Sequence, residues 1–149
     1  MHAYVQTALI ISVNLSTFIG FLLLSRLALL IGVVTGATDG IGKALAMELA
    51  RKGMNVILMS RTQSRLEDAR NEILAKYPKV EVNILAVDFD RIDEPNVRES
   101  LHKTLDQVND VGVLFNNVGI SYHYPDFFDQ LPEDLMDSLI KVNVTELLL

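Results

Sequence analysis

The chain has 149 residues, the length of one domain, and a net charge of -6 with a pI near 4.9. That balance disfavours a nucleic-acid partner, because phosphate binding needs a basic face. It holds no cysteine, which excludes disulfides, thiolate metal sites and cysteine nucleophiles, and no metal site is expected.

Half of the residues are hydrophobic and the mean hydropathy is +0.28, high for a soluble domain. The excess sits at the N-terminus, where no formal charge precedes Arg26 and no second one precedes Asp39. Residues Thr7 to Leu24 (TALIISVNLSTFIGFLLL) are uncharged and mostly apolar. Roughly 18 to 20 such residues cross a hydrocarbon core of about 30 Å. A cleaved signal peptide would want a basic start and a small-residue cleavage site, and neither is evident. A buried core helix would leave Asn14, Ser16 and Thr17 on an untidy apolar face. A transmembrane helix within a 1–28 anchor is the preferred reading. With Arg26 after the span and nothing basic before it, the 29–149 domain is expected to face the cytosol.

Leu29 to Thr35 (LLIGVVT) reads as a buried strand. Ile41 to Lys52 has helical spacing through Ile41, Leu45 and Leu49 and ends at Gly53, a C-cap signal. Asn55 to Ser60 reads as a second strand, Ser64 to Lys76 as an amphipathic helix stopped by Pro78, and Val80 to Val87 as a third strand. Asn96 to Gln107 reads as a helix and Val111 to Asn116 as a fourth strand. A loop rich in Tyr, Pro and Asp follows, and Leu131 to Leu148 reads as a last helix. This alternation predicts a parallel sheet with right-handed crossovers.

The first strand runs into Thr35-Gly36-Ala37-Thr38-Asp39-Gly40-Ile41-Gly42 and then a helix. Glycines there let the backbone approach a pyrophosphate, and the helix N-terminus offers free N–H groups with a positive dipole end. Thr35, Gly36, Thr38, Asp39, Gly40, Ile41 and Gly42 are therefore candidate cofactor contacts. An ordinary strand-to-helix turn is the bland alternative, but the strand before, the helix after and the second strand beyond favour a nucleotide site. A P-loop is excluded, because Ala37 stands where its first glycine must and Ala44 where its magnesium-binding hydroxyl must. An NAD site usually has an acid at the end of the second strand. Here Arg61 stands there and no acid occurs until Glu67, so Arg61 is expected to pair with a 2′-phosphate, favouring NADP(H).

The spacing T-G-x-x-x-G-x-G of Thr35, Gly36, Gly40 and Gly42 resembles that of the short-chain dehydrogenase/reductase family. Asn116-Asn117-Val118-Gly119 resembles the family's N-N-A-G, with Val118 a departure. Asp88 matches the acid that faces the adenine ring. Asn143 matches the asparagine of the catalytic tetrad. The resemblance implies a Rossmann-type doubly wound parallel sheet, truncated here after the fourth strand and following helix. TGATDGIGK and NNVGISYHYP are similar to stretches in the very-long-chain 3-oxoacyl-CoA reductases and the related 17β-hydroxysteroid dehydrogenases. That subgroup implies an endoplasmic reticulum membrane location and NADPH-dependent reduction of an acyl-CoA or steroid ketone. A homo-oligomer or elongase partners would fit it. Tyr122, His123 and Tyr124 are candidate substrate contacts, or simple loop packing.

Of the tetrad only Asn143 is present, since no Tyr-x-x-x-Lys occurs in the 149 residues. A positioned proton donor contributes on the order of 10²–10⁴-fold, so no turnover is expected of this polypeptide alone. The fourth strand is expected at a hydrophobic edge. Only four residues join Leu24 to Leu29, a reach of at most about 14 Å. A partial sequence explains both features more simply than a designed truncation. The competing reading, of a different class, is a non-catalytic nucleotide-binding membrane protein.

Overall fold

The computed structural model describes residues 17, 20, 30–122, 124 and 127–144. The anchor expected over 1–28 lies outside the described residues save positions 17 and 20. Among the described residues no helix is long and apolar enough to cross a membrane.

Four strands, β1 (Ile31–Thr35), β2 (Asn55–Ser60), β3 (Val82–Ala86) and β4 (Val111–Phe115), form one parallel sheet in the order β3-β2-β1-β4. Four helices alternate with them: α1 (Gly40–Arg51), α2 (Gln63–Lys76), α3 (Pro95–Leu105) and α4 (Glu133–Asn143). The sheet is parallel, as the alternation predicts, and Rossmann-like, as the resemblance implies. Because both faces of the central strands are covered, β1 is apolar from Ile31 to Val34 and β2 from Val56 to Met59 without a break. Successive side chains still divide by face. Val34, Val56 and Leu58 join Ala46, Leu49, Leu66 and Ile73 in one core beneath α1 and α2. Val33, Ile57 and Met59 join Phe89, Ile92, Leu101 and Val142 in a second core on the opposite face.

The end of α1 follows from Gly53, whose φ of 84° is open to glycine at little cost. Its N–H donates to Ala50 O at 2.9 Å and that of Met54 to Leu49 O at 3.1 Å, a Schellman closure. At this exposed end the Arg51 guanidinium holds the Glu48 carboxyl down to about 2, from 4.5.

Two expectations are corrected. The buried stripe of α1 is Gly42, Ala46, Leu49 and Ala50, whereas Ile41 is 74% exposed. At its first turn only Gly42 can face inward, because a Cβ there would meet Gly36 O and Asn117 Nδ2. The last helix begins at Glu133, not Leu131, because Pro132 is extended (φ -57°, ψ 139°) and caps it. Residues 145–149 lie outside the described ones.

Candidate functional site

The order of the strands reverses between β1 and β4, and in open α/β sheets ligands bind beyond the carboxyl ends of the strands at such a point. There the chain makes a cleft of about 680 Å³. Its walls hold Gly36, Thr38, Asp39, Gly40 and Ile41 from the turn after β1, Arg61 after β2, Asp88 after β3, and Asn117 and Gly119 after β4. Nine candidates far apart in sequence thus share one cavity.

The other four are not among its lining residues. Thr35 is 3% exposed. Its Oγ1 accepts from the N–H of Asn117 at 2.9 Å and of Val118 at 3.0 Å, and donates to Phe115 O at 3.4 Å. One hydroxyl thereby joins the ends of two neighbouring strands. Asn117 answers it, its Nδ2 donating to Thr35 O at 3.1 Å and Gly36 O at 3.3 Å. Gly42 packs into this seam, where an added Cβ would fall within 3.0 Å of both Gly36 O and Asn117 Nδ2. Asn116 turns away, into an apolar pocket of about 210 Å³ beside Leu105 and Leu114. Asn143 is not itself a lining residue but bonds to one, Ile120. Its Oδ1 accepts from the Ile120 N–H at 3.0 Å and its Nδ2 donates to Ile120 O at 2.9 Å, so α4 holds the loop after β4 by both atoms of one amide.

The cradle suits a dinucleotide. Gly36 sits at φ 61° with Val118 Cα at 2.9 Å from where a Cβ would be, so only glycine brings the two loops together. Gly40, at φ 53°, faces open space within 4 Å. The helix start leaves the N–H groups of Ile41 and Gly42 without intrahelical acceptors. Arg61 is the only Lys or Arg among the described cleft residues, against Asp39, Asp88 and Asp90.

Sequence reasoning missed several wall residues. Ser60 was readable as the last residue of a strand; its Oγ shares a 3.2 Å hydrogen bond with Thr38 Oγ1. Leu135, Ser138 and Val142 come from one face of α4, at spacings of three and four. Tyr122 and Tyr124 are exposed and are not among the cleft residues, and His123 lies outside the described residues.

The family model described as short chain dehydrogenase matches residues 31–149. The very-long-chain 3-oxooacyl-coA reductase let-767 of Caenorhabditis elegans is 58% identical over 94 residues, covering 63% of this chain and 29% of that protein. The inactive hydroxysteroid dehydrogenase-like protein 1 of Homo sapiens is 46% identical over 114 residues, covering 75% and 33%. The chain thus spans about a third of the length of these relatives. Among solved structures, a short-chain dehydrogenase from Sphingobium yanoikuyae in complex with NADPH superposes with a TM-score of 0.70 at 28% identity, covering 80% of this chain and 44% of that one.

Proposed function

The chain belongs to the short-chain dehydrogenase family, and from that premise we propose that residues 29–149 are the NADP(H)-holding part of a ketone reductase. The proposed substrate is a very-long-chain 3-oxoacyl-CoA, with a steroid ketone as its near neighbour. The observation that carries the reading is the gathering of the glycine turn, Arg61, Asp88 and Asn117–Gly119 around one cleft at the strand-order reversal. The similarity to let-767 supports the acyl-CoA choice.

When bound, a dihydronicotinamide supplies the hydride that reduces a carbonyl. Every other role falls to the chain. The turn from Gly36 to Gly42 and the N-terminus of α1 would hold the pyrophosphate. Arg61 would pair with the 2′-phosphate through its planar fork, and Asp88 would face the adenine. Asn117 and Gly119 would line the far end. Asn143 is a positioning residue, since it grips Ile120 and so fixes the loop that carries Gly119. The proton donor of the family has no counterpart among these residues. An anchor over 1–28 would hold this domain at the cytosolic face of the endoplasmic reticulum membrane, beside elongase partners or a second copy.

The second reading, a nucleotide-binding protein without catalysis, is favoured by the likeness to a relative named inactive. Both readings require NADPH binding. Titrating the full chain and Arg61→Asp with NADPH and NADH tests that requirement. A hydrogen bond to a charged group contributes about 1.5–3 kcal/mol. NADPH should therefore weaken at least about ten-fold in the variant while NADH changes little; equal losses would remove the 2′-phosphate contact. Oxidation of NADPH by a 3-oxoacyl-CoA in the presence of this chain alone should stay at background.

A further inference from the structure

A phosphate cradle at a helix start works by offering N–H groups to an anion. In this chain the first of them is already taken. The Gly40 N–H, which opens α1, donates to Oδ1 of Asp39 at 2.7 Å in a solvent-exposed contact. Asp39 is also part of the cleft wall, with Gly36 and Gly40 on either side of it in the turn. Among the described residues it has no ion pair. Lys43, one turn along α1, is committed to Glu72. Asp88 Oδ1, by contrast, bonds within its own loop, accepting from the Asp90 N–H at 3.3 Å.

We propose that Asp39 is a built-in competitor of the cofactor: its carboxylate sits at the N–H groups that open α1, and its charge opposes the pyrophosphate electrostatically. The inference rests on the dinucleotide reading of the cleft and deepens it, because it makes Asp39 a residue that limits affinity. A carboxylate at a helix N-terminus suits the isolated domain, where it caps α1 and meets the positive end of the helix dipole. The same placement becomes unfavourable once a second anion arrives. Arg61 then acts as the counterweight, offsetting on the 2′-phosphate what Asp39 costs on the pyrophosphate.

The test is Asp39→Asn in the full chain, titrated with NADPH and with NADH by nicotinamide fluorescence at low and high salt. Asparagine caps helices as well as aspartate does and keeps an oxygen for the Gly40 N–H, so folding is preserved while the charge goes. Both cofactors should bind roughly two- to five-fold tighter, the range of one charge at a helix N-terminus. The ratio between them should not change, because they share the pyrophosphate. The gain should shrink toward 1 M salt, where the screening length is about 3 Å. Unchanged or weaker binding of both cofactors overturns the proposal while leaving the cleft assignment intact. A gain for NADPH alone also overturns it, since the charge would then act on the 2′-phosphate. If the unsubstituted chain binds neither cofactor, the dinucleotide reading falls and this one with it.

Discussion

β1 and β4 lie side by side and are nearly alike in composition, IGVVT against VGVLF. Their surroundings differ. Val33 and Val34 of β1 are 2% and 0% exposed, whereas Val111 and Leu114 of β4 are 48% and 55% exposed. β1 has a strand on each side and helices over both faces; β4 pairs only with β1, with no strand beyond it in the described sheet. The contrast separates two things that an apolar run encodes together: the propensity to join a sheet, which both strands express, and the demand for cover, which only β1 has satisfied. The cleft bridges the two regions. Its phosphate side stands on the closed part, while Asn117 to Ile120 hang from the end of the exposed strand and are steadied by Thr35 and Asn143.

The sharpest way to break this comparison is to cut into the closed part. Leu58 is fully buried in the core under α1 and α2. Leu58→Ala should cost about 2–5 kcal/mol, the lost transfer energy plus a cavity, read as a lower midpoint in urea denaturation with an unchanged slope. A loss below about 1 kcal/mol would mean that the core collapses around the gap and is not close-packed.

A smaller effect is expected where the two parts are tied. Asn143→Ala removes both hydrogen bonds to Ile120, each with a net value of about 0.5–1.5 kcal/mol. Because the pair is exposed, roughly 1 kcal/mol in total is the better figure. The Ile120 amide should exchange with solvent about five-fold faster while amides of β2 keep their protection. Loss of protection throughout the sheet would instead make Asn143 a global support, and the loop after β4 would not be a separately held element.

Much of this was legible in the residues. The alternation of apolar runs, the stop at Gly53 and the glycine turn each rest on local chemistry, and the structure follows them closely. What was not legible depends on distance. Ile41 has the right spacing for the buried face of α1, yet it is Gly42 that faces the sheet, because the helix start is drawn in by Gly36 and Asn117. Asn143 could be matched to a family position, but its partner, the Ile120 backbone 23 residues earlier, is a product of α4 folding back over the loop. Leu135 and Ser138 reach the cleft for the same reason. Nor could VGVLF tell from its own composition whether a neighbour would cover it.

The smallest effect is the one that tests the contrast most directly. Leu114 on β4 is chemically the same residue as Leu58 on β2, and its truncation removes the same atoms. If exposure decides the cost, Leu114→Ala should change stability by no more than about 0.5 kcal/mol, as for surface substitutions generally. The same variant should also associate less at high concentration, since an apolar edge strand is a template for pairing with another chain. Thermal denaturation and sedimentation of the full chain read the two effects separately. A cost of 2 kcal/mol or more in dilute solution would show that Leu114 is covered there, and β4 would then be as closed as β1. Little cost together with weaker self-association would leave the contrast standing, and would identify β4 as the edge at which this chain meets another.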